Sequence, residues 1–269
     1  MQKLTPHGEV TAPAARRHIV TVTFTKKSIG GGGGGSVPTI PDPIDPAING
    51  ASMNWSDIAA ALAKLANGSE VTIELNGNTT VPVEVIKVID ERDLKVTFVC
   101  DSVKSWKTDG AEITTPAAAD LSILTTSKLK TDTLRGISGL QFMMNNTNIP
   151  TDLGIAFKTE HSGKFANLYQ NVDGKFRFLT CAKLGADGKV ILSDVTEKGN
   201  YVSMLCEYSD RPGDMNNDGV LNAMEAAAIL KDIVGLEAGK NPLMADFSGD
   251  GRVNAPDAAA MLKRVVGLA

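Results

Sequence analysis

Two copies of one acidic loop, 32 positions apart, constrain the C-terminal end of this chain more tightly than any other feature constrains the rest. The first copy reads Asp214-Met215-Asn216-Asn217-Asp218-Gly219-Val220-Leu221-Asn222-Ala223-Met224-Glu225. The second reads Asp246-Phe247-Ser248-Gly249-Asp250-Gly251-Arg252-Val253-Asn254-Ala255-Pro256-Asp257. The register holds beyond the loops, with Ala226-Ala227-Ala228 on Ala258-Ala259-Ala260, Leu230-Lys231 on Leu262-Lys263, and Val234-Gly235-Leu236 on Val266-Gly267-Leu268. This is one loop-plus-helix unit used twice.

The spacing suits a hard cation that takes six to eight oxygens in flexible geometry. Loop positions 1, 3 and 5 supply side-chain oxygens from Asp214, Asn216 and Asp218, then from Asp246, Ser248 and Asp250. Gly219 and Gly251 stand at the sharp turn, where a residue without a Cβ is favoured. Val220 and Arg252 lend backbone carbonyls, so their side chains are free to vary. Asn222 and Asn254 act directly or through water, and Glu225 and Asp257 close the loops from the first turn of a helix. Two such loops in register predict two bound Ca2+ ions.

Loop followed by exiting helix, twice, resembles the dockerin module of cellulosome-type assemblies. An ordinary EF-hand has an entering helix, whereas Tyr208-Ser209-Asp210-Arg211-Pro212-Gly213 reads as coil. The resemblance covers residues 212–269 and implies two antiparallel calcium-loop helices that bind a cohesin on a scaffold or cell-surface protein. It also implies an extracellular, secreted setting. The contact residues it points to are Ala223, Met224, Leu230, Lys231, Ala255, Pro256, Leu262, Lys263 and Arg264. Many dockerins place a Ser/Thr pair before the last ligand, and here Ala223-Met224 and Ala255-Pro256 depart from that pattern. Some of Leu230 and Leu262 is expected in the core instead, from their helical spacing with Ile233, Val234, Val265 and Val266. Near-symmetry of the two units predicts two binding poses, with Met224/Pro256 and Asp232/Arg264 favouring one of them.

A module this short has a thin core and ordinarily needs a staple. No cysteine follows Cys206, so a disulfide cannot serve, and six carboxylates in two loops repel one another without a cation. Ion binding is therefore expected to appear as folding free energy.

The whole chain's net charge of −4 supplies no broad basic surface for nucleic acid. Cys100, Cys181 and Cys206 are few and odd in number. Cys181 and Cys206 lie in neighbouring β-like stretches, so one disulfide fits, but buried thiols are the expectation. No apolar run is long enough to span a membrane, and Met1 to Gly8 is not a signal peptide. With a secreted module at its end, the chain is expected to be the C-terminal part of a longer secreted protein or an internally started reading frame.

Residues 1–28 end in an alternating run rich in β-branched residues, His18 to Thr25, expected to be the last strand of an upstream β-domain. Residues 29–49, with Gly30 to Gly35 and Pro38, Pro41, Pro43 and Pro46, are expected to be a linker.

The middle region, 50–210, opens with helical spacing at Trp55, Ile58, Ala59, Leu62 and Leu65. Strand Val71–Leu75, a helix from Pro82 carrying Val85, Ile86 and Ile89, and strand Leu94–Cys100 follow. Further strands are expected at Leu140–Met144, Leu153–Lys158, Phe165–Gln170, Lys175–Leu184, Lys189–Ser193 and Tyr201–Tyr208. Asp173-Gly174 and Asp187-Gly188 read as hairpin turns. The fold class is therefore α+β: a β-rich middle module with an N-terminal helix, its second half sandwich-like, and then a small all-α module with two calcium loops. The run Val71-Thr72-Ile73-Glu74-Leu75-Asn76-Gly77, with Ala166 to Lys175 and Asn200-Tyr201-Val202, resembles the X modules found beside dockerins. That likeness implies a stabilising role and no catalytic residues.

Nothing in this region assembles an active site. His161, its one histidine, sits in a surface turn, and no nucleophile triad, metal-spaced His/Cys cluster or phosphate loop is present. Trp106 is expected in the core. The alternative, a carbohydrate-binding or glycoside-hydrolase accessory fragment bearing the same docking module, lacks the aromatics that line sugar clefts.

Overall fold

The computed structural model describes residues 44–268. The expected upstream strand, and all of the expected linker before Ile44, lie outside the described residues. Ala47 and Ile48, the end of that expected linker, are already hydrogen-bonded into a sheet as β1.

Elements follow in chain order as β1 (Ala47–Ile48), β2 (Ala51–Ser52), α1 (Trp55–Leu62), β3 (Glu70–Glu74), β4 (Thr80–Val81) and α2 (Val83–Glu91). Then come β5 (Lys95–Val99), β6 (Lys104–Asp109), β7 (Ala119–Asp120), β8 (Ile123–Thr126), β9 (Ser138–Met144) and β10 (Asp152–Ala156). β11 (Phe165–Val172), β12 (Lys175–Lys183), β13 (Lys189–Leu192) and β14 (Gly199–Cys206) complete the β-rich part. The chain ends in α3 (Ala223–Ile233) and α4 (Ala255–Val265).

Local chemistry accounts for the first elements. The Asn54 side chain accepts the Asp57 N–H and caps α1, which buries Ile58 and Leu62. Pro82 precedes α2, whose buried face is Val85, Ile86 and Ile89. α2 carries the chain from β3 to β5, the only parallel pair among the described strands. All six strands expected between Leu140 and Tyr208 form, as do the two expected before them.

Two large sheets enclose one core, and β4 and β7 pair as a separate two-stranded antiparallel sheet. The larger has seven strands in the order β13-β10-β6-β5-β3-β1-β2, the smaller five in the order β12-β11-β14-β9-β8. Buried side chains from α1, α2 and both sheets form a single cluster that includes Ile58, Ile86, Phe98, Trp106, Leu168 and Tyr201. Trp106 is fully buried there and donates its Nε1–H to the Leu121 carbonyl. On the outer face of the smaller sheet, Tyr169, Val202 and Met204 make a satellite cluster beneath Leu129 and Leu134.

The two halves of this region are interleaved, because β10 and β13 from the second half extend the first half's sheet. Asp173 and Gly174 both take positive φ and close the β11–β12 hairpin as expected. Asp187-Gly188 also makes a turn, with Gly188 N–H donating to the Gly185 carbonyl at 3.0 Å, but it joins no hairpin. The strands on either side belong to different sheets, β13 pairing with β10 instead of β12. A tight turn fixes the chain's reversal and leaves the choice of partner strand to the core.

Candidate metal centre and docking face

After β14 ends at Cys206, the chain has no helix until Ala223, so the first loop is entered from coil, as its sequence requires. The two units then superpose in detail. Asp214 Oδ2 accepts Gly219 N–H at 2.9 Å, and Asp246 Oδ2 accepts Gly251 N–H at 2.9 Å. Asp214 Oδ1 accepts Asp218 N–H, and Asp246 Oδ1 accepts Asp250 N–H, each at 3.1 Å. Asp218 and Asp250 in turn accept the N–H groups of Val220 and Arg252. The small core repeats too: Ala226 with Ala258, Ile229 with Met261, and Met215 with Phe247 pack on one another.

In the first loop, carboxylate oxygens of Asp214, Asp218 and Glu225 lie within 4.8 Å of one another. Asp214 and Glu225 are fully buried. Glu225 Oε2 accepts the Asn222 N–H at 2.6 Å, but Oε1 is buried without any hydrogen-bond partner. Burial holds this carboxyl above its usual range, and the Asp218 and Asp214 charges push it the same way. A lone buried carboxylate oxygen facing two more carboxylates is a costly arrangement that a divalent cation would resolve. The donor set, oxygen throughout, fits Ca2+.

The second loop is built differently at its closing position. Asp257 is one methylene shorter than Glu225, and both its oxygens already accept backbone N–H groups, of Ser248 at 2.9 Å and Asn254 at 2.8 Å. Its burial alone would raise its pKa, yet these N–H groups hold it below the ordinary carboxylate range. Among the described residues, no second cluster of three carboxylates converges as the first does. The orphan in this loop is Asn254 Oδ1, buried and without a partner.

All nine residues expected to meet a partner, Ala223, Met224, Leu230, Lys231, Ala255, Pro256, Leu262, Lys263 and Arg264, are exposed. Leu230 and Leu262 take no share in the core, contrary to expectation, at 44% and 42% exposure. Ile233, Val234, Val265 and Val266 are exposed with them. The reason is register: Ala226/Ile229 and Ala258/Met261 face inward, and the small alanines let the helices meet there. The larger aliphatics one position on are turned to solvent.

A polar belt ties the first loop to the β-rich region, and sequence reasoning missed it. Asn217 Oδ1 accepts Ser209 N–H at 2.8 Å, and its Nδ2 donates to the Glu207 carbonyl at 3.2 Å. Asn241 Nδ2 donates to the Ser209 carbonyl at 2.7 Å. Asn167, buried on β11, donates to the Tyr208 carbonyl and accepts Asp210 N–H. Asp210 also receives Arg135 and the Tyr169 hydroxyl. One signal was available: Asn217 has φ of 59° where its repeat-mate is Gly249, and a left-handed position filled by Asn instead of Gly invites a role for the side chain.

Cys181 and Cys206 are free buried thiols, with Cys181 Sγ 3.2 Å from Ser209 Oγ. No described helix is long and apolar enough to cross a membrane. Residues 212–266 match the family model of the dockerin type I domain, and the β-rich region before them is consistent with an X-module-like domain. No curated protein and no solved structure matches the chain.

Proposed function

We infer that this chain, through its dockerin type I segment, anchors a secreted protein to a cohesin on a cellulosomal scaffold or cell-surface protein, and that residues 50–210 brace the anchor. Dockerin modules are non-catalytic, calcium-binding and cohesin-binding, and the reading here assigns no catalysis to the remainder of the chain. The observation that carries it is the unpartnered, buried Oε1 of Glu225 beside Asp214 and Asp218.

The first ion site is assigned to Asp214, Asn216, Asp218, the Val220 carbonyl, Asn222 and Glu225. The second is assigned to Asp246, Ser248, Asp250, the Arg252 carbonyl, Asn254 and Asp257. Bound calcium supplies the positive charge that lets these oxygens crowd together. The chain does the rest. The loops fix the first turns of α3 and α4, and those helices present Ala223, Met224, Leu230 and Lys231, and Ala255, Pro256, Leu262, Lys263 and Arg264, on an exposed aliphatic and basic face. Such a surface, preorganised before contact, loses little entropy on binding.

Calorimetry of the whole chain against a panel of cohesins, with calcium and then with chelator, tests this. Binding in calcium that vanishes in chelator is expected. Failure to bind any cohesin while calcium-loaded would sink the reading, and so would helices and a melting temperature indifferent to chelation.

A further inference from the structure

Where β12, the loop after β13 and the connector into the first calcium loop meet, there is an open cavity of about 350 Å³. Arg211 reaches it from the connector, half-buried, and Arg177 from β12, at the exposed rim. The Arg211 Nε is buried with no hydrogen-bond partner, an uncommon state for a guanidinium donor in a folded chain. Its Nη2 makes one long contact, 3.4 Å to the Cys181 carbonyl. Arg177 donates only to Gln170 Oε1, at 2.7 Å. Among the described residues, Arg135 is the one arginine in an ion pair, so neither cavity guanidinium is held by direct contact with a carboxylate.

Two unpaired planar forks at one cavity suit a carboxylate, which takes two parallel N–H bonds from a guanidinium. The other lining groups narrow the choice. Thr180, Ser193 and Thr196 bring hydroxyls, and Asp194 and Glu197 bring carboxylates, all of which pair with ligand hydroxyls. Those two acids offset the two arginines and so disfavour a dianion such as sulfate, leaving a carboxylate to be selected by the fork geometry of the guanidinium groups instead of by net charge. We propose that this cavity binds a uronic acid, a sugar ring bearing one carboxylate and several hydroxyls. The volume accommodates one such ring without the aromatic platform that neutral sugars ordinarily need. The site is separate from both calcium loops and from the exposed helix faces.

The test is an NMR titration of the calcium-loaded full chain, without cohesin, using galacturonate, galactose and inorganic sulfate. Galacturonate is expected to bind at least about tenfold more tightly than either of the others, with shifts centred on Arg177, Arg211 and Thr196. Arg177→Gln, at the exposed rim, is expected to weaken galacturonate about tenfold with an unchanged melting temperature. Galactose binding equally well overturns the role of the carboxylate. Sulfate binding equally well reduces the site to an adventitious ion only. No galacturonate binding, or none of the expected loss in Arg177→Gln, overturns the proposal outright.

Discussion

Glu225 sets a buried carboxylate oxygen without a hydrogen-bond partner in the first loop. Without an ion, its buried, unpartnered oxygen faces two acids, and each element of that arrangement opposes folding. Glu225→Gln removes the charge at almost constant volume. It is expected to raise the melting temperature in EDTA, by the equivalent of about 1–3 kcal/mol, and to shrink the further rise that calcium gives. Thermal melts of the full chain in calcium and in EDTA read both effects. Elsewhere, carboxylates stabilise the fold in the usual direction. Burial would raise Asp101 and Asp120, but Lys104 and backbone N–H groups around the first, and Ser122 and Asn145 around the second, bring both below their ordinary range. A depressed carboxyl contributes stability above its unfolded pKa and loses it as pH falls through the folded one. Urea midpoints of the β-rich region are therefore expected to decline as pH drops through and below the normal carboxylate range, and less so in Asp120→Asn. Cys100 follows the same logic from the other side: burial pushes its thiol up to about 12, with Asp101 adding to the effect. Iodoacetamide at pH 8 is expected to leave it unmodified in the folded chain and to alkylate it in urea, as mass spectrometry would show.

At the scale of elements, the two loop-helix units are equivalent in backbone and unequal at their ends. Gly213, just before the first loop, has φ of +88° and packs against the second unit, where a Cβ would collide with Met261 and the Phe247 ring. Its repeat-mate, Ala245, carries a side chain without difficulty in the core. Gly213→Ala is expected to cost about 1–3 kcal/mol in the docking module while leaving the β-rich melt unchanged, a split that hydrogen exchange resolves. On the exposed faces, Lys231 is paired with Glu237 at 2.9 Å, whereas Lys263 makes no ion pair among the described residues. If one orientation on the partner dominates, Lys231→Asp and Lys263→Asp lose unequal amounts of cohesin affinity. Equal, mild losses by calorimetry would mean that either helix takes the other's place.

For the molecule as a whole, the connector between β14 and the first loop is a bonded joint. Asn167 anchors it from inside the five-stranded sheet, and Asn217 and Asn241 anchor it from the docking side. Asn167→Ala leaves two partly buried backbone groups, the Tyr208 carbonyl and the Asp210 N–H, without this partner, at a cost of about 1–2 kcal/mol. Amide exchange is expected to accelerate at residues 208–219 on both sides of the joint, and β5 and β6 to be unaffected. Protection unchanged across the joint would show that the two parts are merely adjacent. The amino-acid sequence by itself determined the duplicated loops, the coil that enters them and eight of the fourteen described strands, because periodicity, turn residues and ligand spacing are local properties. Three things were decided only by the folded chain. β13 left the hairpin that Asp187-Gly188 suggested, since a turn carries no information about which sheet receives the next strand. Leu230 and Leu262 turned outward, since an apolar stripe on a short helix does not say which of two adjacent rows a small partner helix will cover. The asparagine joint formed from side chains far apart in sequence, and polar groups of that kind acquire a purpose only when burial leaves a particular carbonyl or N–H in need of a partner.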